Sequence, residues 1–254
     1  MRSRFGVVVS GTDDGRAAEP GHDFARPVSP PAPDGLAGLL HQVCADTAQA
    51  LSACGVGMSV MTADGVHGFA AASDPATARI EELQFTFGEG PCVDAFAYSR
   101  PVLMPNLDAA AANRWPVYTP AVTDAGVRAV FAFPLQVGAA RLGVLDVFRD
   151  RPGSLSRAEL GQALASAERA VTALLDGQER TIDGTDGLDG AFDRSAALFQ
   201  AQGMVMVQLG VSLAEALVRI RAHAYATGRP LHNVTADIVS RRLRLDQHSA
   251  EGSS

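Results

Sequence analysis

Residues 196–245, AALFQAQGMVMVQLGVSLAEALVRIRAHAYATGRPLHNVTADIVSRRLRL, are punctuated so tightly that little besides three consecutive helices fits them. The first helix ends at Gly210. The second opens on Ser212-Leu-Ala-Glu215, a capping box in which the Ser hydroxyl takes an orphan backbone N–H and the Glu reaches back to the cap. Leu213, Leu217, Ile220 and Ala224 then recur at helical spacing on one face. Thr227-Gly-Arg-Pro230 breaks that helix, and a third is expected from Leu231 to Arg244. Such a unit holds a small helical core under an arginine-rich surface.

Charge separates this unit from the rest. The whole chain of 254 residues carries −7, which argues at first against nucleic acid. Residues 35–190, however, hold 10 Arg against 18 Asp and Glu, a balance of −8, whereas residues 191–248 hold 7 Arg against 4, a balance of +3. A basic module attached to an acidic domain is the footprint of nucleic-acid binding, although +3 is also ordinary for a small helical unit. The chain has no lysine, which with its Ala, Gly and Val content reads as the codon bias of a GC-rich genome. Arginine is nonetheless the better residue for bidentate phosphate contacts.

The C-terminal stretch resembles the ANTAR domain. The matching residues are Ala201-Gln-Gly203 and Met206 in the first helix, Ser212 through Ala216 opening the second, Arg221-Ala-His-Ala224 closing it, and Val234 with Ile238 in the third. The resemblance implies RNA binding for transcription antitermination. Gly203 is expected to permit close helix approach, and Ala201, Met206, Ala216, Val234 and Ile238 to carry the fold. Many ANTAR sequences have a basic residue where this chain has Gln202, so a contact there would be a neutral hydrogen bond. The other candidate RNA contacts are Arg219, Arg221 and His223 on the second helix, Arg229 in the turn, and Arg241, Arg242 and Arg244 ending the third. Each of them alone is equally well explained as a solvated surface residue. As a cluster they suit phosphates and unpaired loop bases.

Upstream, the chain reads as a different class. Residues 1–33 are rich in Pro, Gly, Asp and Ala, and residues 247–254 form a polar tail; both are expected to be disordered. A helix from Leu36 to Ser52 precedes a hairpin, Met58–Thr62 and Val66–Ala71, turning at Ala63-Asp64-Gly65. A short helix over Pro75–Leu83 follows, then a strand end at Phe85-Thr-Phe87 and a Gly-rich turn into another short helix. Pro101–Met104 is a short strand, and Asn113-Arg-Trp-Pro116 starts a helix. A second hairpin pairs Ala129–Val137 with Arg141–Phe148 around Gly138. Ser156-Arg-Ala-Glu159 is a second capping box, opening a helix to Leu175. Residues 177–190, with Gly177, Gly184, Gly187 and Gly190, read as a flexible linker.

This order predicts an α+β domain at residues 34–176, an antiparallel sheet flanked by helices, followed by an all-α three-helix domain at 191–246. The first domain resembles the GAF domain, a sensor and dimerisation fold. The resemblance rests on Phe87-Gly-Glu-Gly-Pro-Cys92, Ala95, Trp115-Pro116, Gly126-Val127, Phe133-Pro-Leu135 and Leu142-Gly-Val-Leu145. A GAF unit ahead of an ANTAR unit resembles a recurring actinobacterial regulator architecture.

Phe87–Cys92 lacks the Gly-Lys-Ser/Thr of a phosphate loop, so its glycines are read as a tight turn, with a ligand-lining role as the functional alternative. Phe87, Cys92, Trp115, Phe131 and Phe133 are the candidate pocket residues. Cys92 at a helix start is either a reactive thiol or, as preferred, a small buried hydrophobe. Val93 follows it, where pigment-binding GAF relatives carry His, so no pigment is implied. Asp146 is assigned to a solvated sheet face. Cys44, Cys54 and Cys92 make neither a disulfide framework nor a zinc spacing, and no metal or cofactor is expected. No apolar run approaches the ~18 residues of a membrane span, and no signal-peptide core is present, so a cytoplasmic protein is expected.

The implied function is a non-enzymatic regulator. Its sensor domain would answer to a small molecule, a redox state or a protein signal, and its helices would bind tandem stem-loops in nascent RNA. Two stem-loops imply a homodimer, through the sensor domain or the helix near 156–175. Two alternatives stay open. One is a DNA-binding regulator whose third helix, with His232, Asn233 and Thr235, acts in a helix-turn-helix. The other is a thiol redox enzyme built on the GAF fold.

Overall fold

The computed structural model describes residues 35–61, 67–182 and 189–246. The expected N-terminal arm, the C-terminal tail, the first hairpin's turn and residues 183–188 lie outside them.

A five-stranded sheet organises the N-terminal part: β1 (Gly55–Met61), β2 (His67–Ala72), β3 (Val102–Met104), β4 (Ala129–Val137) and β5 (Ala140–Arg149). The order is β2-β1-β5-β4-β3, and every neighbouring pair is antiparallel. The β4–β5 hairpin turns at Gly138, whose φ of +57° suits glycine. β5 is central and covered on both faces, so alternate residues enter two different cores. Phe131, Phe133, Leu135, Leu145 and Val147 pack against α1 (Leu36–Ala50) and α6 (Arg157–Ile182). Val130, Ala132, Val144 and Phe148 face the opposite layer.

That layer holds four short helices: α2 (Pro75–Phe87), α3 (Pro91–Tyr98), α4 (Ala109–Arg114) and α5 (Tyr118–Asp124). α2 is one turn longer than its sequence suggests. Asp74 caps it by accepting from the Ala76 and Thr77 amides at 2.8 and 2.9 Å, Pro75 occupies its first turn, and Gly88 ends it at φ +71°. Phe85-Thr-Phe87, expected as a strand end, is therefore its last turn; aromatic and β-branched composition mimics a strand, but the caps decide. α2 sits close on β1 because β1 carries glycines. A Cβ on Gly57 would stand 2.3 Å from Glu81 Oε1, and one on Gly55 2.1 Å from Thr77 Oγ1. Trp115-Pro116 does not start a helix. It separates α4 from α5, with Trp115 at an extended ψ of 79° as Pro116 requires.

Ser156 and Glu159 form the full reciprocal capping box at the start of α6. α6 continues through 177–182, and α7 (Asp189–Leu209) already includes 189–190, so helix replaces much of the expected linker. α8 (Leu213–Ala226) and α9 (Leu231–Val239) complete the three-helix unit. At the second capping box Ser212 takes the Glu215 amide at 3.2 Å, while the Glu215 carboxylate pairs with Arg219. Ala201, Val205, Ala216, Ile220, Val234 and Ile238 form its core, with Met206 packed alongside. Gly203 makes no close approach: a Cβ there would meet open space. α9 is shorter than expected, because Arg241 turns to φ +60° and Leu243 returns its amide to the Asp237 carbonyl at 3.0 Å. The helical unit packs against the sheet domain, α7 along the edge strand β2 and α8 and α9 on α2.

Candidate functional site

The polar centre of the molecule lies between the sheet and α2, α3 and α5. Asp146 on β5 faces that layer and is fully buried, which corrects its expected place on a solvated face. α1 and α6 cover one face of the sheet and α2 and α3 the other, so this part of β5 reaches water on neither face. Glu81 and Gln84, one helical turn apart on α2, and Cys92 on α3 are buried beside it. Gln84 joins the parts: its Nε2 donates to Asp146 Oδ2 at 3.2 Å, and its Oε1 accepts the Cys92 amide at 2.8 Å. Ser59 on β1 donates to Glu81 Oε2 at 3.0 Å. The Met61 sulfur lies 3.8 Å from Cys92 Sγ.

Burial dominates the electrostatics. Desolvation and then the Asp146 charge push the Glu81 carboxyl well above the usual range. Asp146 is pushed up to about 6 by desolvation, against hydrogen bonds that favour its ionised form. Glu81 is accordingly the acid of the pair and Asp146 the acceptor. Among the described residues, with both ionised, Glu81 Oε1 and Asp146 Oδ1 have no donor, and the buried Tyr118 hydroxyl has no partner either. The carboxylates of Glu81 and Asp146 and the Cys92 sulfur each offer an atom within 4.8 Å of the other two, a set that could hold a metal ion.

Phe87–Cys92 has a definite job in this geometry. Gly88 ends α2, and Pro91 opens α3. Gly90, at φ +136°, leaves room for Gln84, whose Oε1 would be 2.6 Å from a Cβ there. Glu89 Oε1 takes the Val117 and Tyr118 amides at 2.7 and 2.8 Å, capping α5 in place of a local residue. Trp115 is buried, donates its indole N–H to Asp94 at 3.1 Å and meets Tyr118 edge-on.

The five candidate pocket residues do not converge. Cys92 and Trp115 share the α2–α5 layer. Phe131 and Phe133 lie across the sheet, under α1 and α6, because strand alternation sends odd-numbered β4 residues that way. Phe87 meets Tyr225 of α8 edge-on, with ring centroids 5.7 Å apart. Sequence reading missed Ser59, Glu81, Gln84 and Glu89. The available signal was Asp146, a carboxylate inside an otherwise apolar central strand.

A family model for the GAF domain matches residues 33–176, and one for the ANTAR domain matches residues 186–239. The chain belongs to the GAF family. Its C-terminal helices are an ANTAR domain. Among solved structures, it is similar to a domain of a putative two-component sensor histidine kinase from Sinorhizobium meliloti. The two are 17% identical over 60% of this chain and 99% of that one, with a TM-score of 0.49. The GAF domain of a phosphoenolpyruvate-protein phosphotransferase from Coxiella burnetii is 16% identical over 59% and 88%, with a TM-score of 0.48. Free methionine-R-sulfoxide reductase from Neisseria meningitidis is 19% identical over 54% and 78%, with a TM-score of 0.39. No curated protein matches the chain.

The ANTAR candidates divide by environment. Arg241, Arg242 and Arg244 are exposed. Arg242 pairs with Asp237 at 2.7 Å, and Arg229 reaches the same carboxylate at 2.5 Å. Arg219 pairs with Glu215 at 3.1 Å. His223 is half-buried, and desolvation, then Arg229, holds it below the usual imidazole range. Gln202 is only 6% exposed in this arrangement. Arg221 faces the GAF domain. A Cβ on Gly88 would stand 2.6 Å from its Nη1, and its Nε is buried without a partner.

The ANTAR domain touches the GAF domain at β2, through α7, and at α2, through α8 and α9. Glu82 Oε1 accepts from the His232 ring at 2.5 Å, beside the Phe87–Tyr225 contact. In the helix-turn-helix alternative, His232 and Thr235 would read bases, but His232 is held by Glu82 and Thr235 is buried. For the thiol-enzyme alternative, Cys44 and Cys92 are fully buried and burial pushes their thiols up, away from the reactive thiolate, whereas Cys54 is exposed. Among the described residues, no single helix is long and apolar enough to cross a membrane.

Proposed function

We propose that the chain is a signal-responsive, RNA-binding antitermination regulator, non-enzymatic and cytoplasmic. In this reading its ANTAR helices take tandem stem-loops in nascent RNA, and its GAF domain decides when they are free to do so. The observation that supports it most is the double role of α2. One side of this helix carries Glu81 and Gln84 into the buried polar centre. The other carries Glu82, Phe87 and Gly88 against His232, Tyr225 and Arg221. A signal that shifts α2 changes both at once, which makes α2 the two-state element that coupling requires.

In the docked arrangement Arg221 is unavailable to phosphate, whereas Arg241, Arg242 and Arg244 remain open. RNA would first engage these three and then compete for Arg221. Two stem-loops call for two ANTAR domains, so the working unit is a homodimer; Leu164 and Leu175, exposed on α6, are the apolar residues offered to a second copy. The test is transcription in vitro through an intrinsic terminator preceded by tandem stem-loops. Read-through that rises with added protein, and falls for Arg241→Ala/Arg244→Ala, is expected. Read-through indifferent to the protein, both with and without Glu82→Ala to free the helices, would overturn the proposal.

A further inference from the structure

We propose that Glu81, Cys92 and Asp146 form a binding site for one divalent first-row transition ion, of the Zn2+ or Fe2+ class, within the GAF domain. This inference is independent of RNA binding. Three donors from α2, α3 and β5 converge with their ligand atoms within 4.8 Å of one another, all fully buried. A centre common to such atoms lies at most about 2.8 Å from each; metal–sulfur bonds of ~2.3 Å and metal–oxygen bonds of ~2.0–2.2 Å need only small side-chain adjustments.

The surroundings lack what an ion would supply. The charged groups that bear on Glu81, Cys92 and Tyr118 are members of the cluster itself, and among the described residues no arginine or histidine acts on them or on Asp146. Buried carboxylates are ordinarily paired with a cation or bound to a metal. Here, among the described residues, Tyr118 Oη is buried without a partner, and Glu81 Oε1 and Asp146 Oδ1 have only each other, through a shared proton. A shared proton would settle the two carboxylates, and the Cys92 thiol can donate to Asp146, but the Tyr118 hydroxyl is still left unmatched. A cation would neutralise both carboxylates and take the Cys92 sulfur, the three groups that also act electrostatically on Tyr118.

The donor set also selects the ion. Ca2+ and Mg2+ prefer all-oxygen shells, and a thiolate disfavours them. One sulfur with two carboxylates suits a borderline cation, and the Met61 thioether beside Cys92 adds a second soft atom. On binding, the Cys92 thiol and the Glu81 carboxyl each release a proton to solvent, and no electron is transferred. The outer support is in place: Ser59 holds Glu81, and Gln84 holds Asp146.

Co2+ is the probe, titrated into the full-length protein under reducing conditions. The expected result is a near-ultraviolet thiolate-to-cobalt band saturating at one ion per chain and displaced by Zn2+. Asp146→Asn should weaken binding at least tenfold. Cys92→Ser should abolish the band. Should that variant fail to fold by circular dichroism, Cys44→Ala/Cys54→Ser answers the same question, since it leaves Cys92 as the sole thiol and must retain the band. No band in the wild-type protein, or a band lost with Cys44 or Cys54 removed, would overturn the site.

Discussion

Releasing the ANTAR domain from α2 should strengthen RNA binding, and the contacts set the size of the effect. The perturbation is Glu82→Ala with Phe87→Ala. Glu82 and His232 meet at 2.5 Å with side chains 23% and 46% exposed, so the pair is treated as a surface one worth ~0.2–1 kcal/mol. The edge-on Phe87–Tyr225 pair contributes ~0.5–1.5 kcal/mol. Together they bias docking by ~0.7–2.5 kcal/mol, or about 3- to 70-fold. An apparent Kd is raised in inverse proportion to the competent fraction, so the RNA Kd should fall by up to that factor. Fluorescence anisotropy with a labelled tandem stem-loop at fixed salt reads it, because phosphate contacts depend on salt. His232→Ala should reproduce the Glu82 share and be non-additive with Glu82→Ala. A folded double variant with unchanged or weaker RNA binding would refute the coupling through α2.

Four further outcomes follow from single contacts. Gln202→Ala should leave RNA affinity within about twofold, whereas Arg241→Ala and Arg244→Ala should each lower the salt slope by about 0.7, as for one phosphate contact on a single strand; anisotropy across a salt series separates them. Gly143→Ala places a Cβ 2.0 Å from the Ser59 carbonyl oxygen on the neighbouring strand. That overpacking costs ~1–3 kcal/mol and should lower the melting temperature by roughly 2–12 °C in calorimetry. The Ser156 amide and hydroxyl, then Arg149, hold the Glu159 carboxyl down to about 2 against an ordinary 4.5. Its contribution is therefore complete above 4.5 and lost as pH falls toward 2, so the melting-temperature gap between wild type and Glu159→Gln should be flat above pH 5 and shrink below 4.5. Gly88→Ala, strained at φ +71° and pressed on Arg221, should loosen the ANTAR domain and raise amide exchange in α8.

The parts of the fold that local chemistry dictates were legible in the sequence. Ser212 and Ser156 announce their helices because a cap is a matter of four neighbouring residues. Gly138 and Gly210 mark turns because both need positive φ. Periodicity placed Ile220 and Ala224 in the α8 core and found the β4–β5 hairpin, but Leu213, expected on the same face, is 44% exposed in the first turn of α8. What failed depended on partners distant in sequence. Phe131, Phe133 and Phe87 are interchangeable aromatics until the fold assigns them: strand alternation sends Phe131 and Phe133 under α1 and α6, whereas the last turn of α2 turns Phe87 to Tyr225. Glu81 and Glu82 look like one solvated pair, yet a turn of 100° per residue puts one in the buried centre and the other against His232. Gln202 sits at a motif position where a basic residue suggested RNA, but α7 turns it inward. Asp146 looks solvated in the sequence because nothing local to β5 shows that α2 and α3 cover its second face.

The central claim, that this chain is an RNA-binding regulator, is tested most directly by titrating the full-length Glu82→Ala protein against a labelled tandem stem-loop RNA, with duplex DNA of matching sequence as competitor, at physiological salt. The account predicts saturable RNA binding that at least a tenfold excess of duplex DNA fails to displace. Displacement by equimolar duplex DNA, or no binding of the RNA, would contradict it.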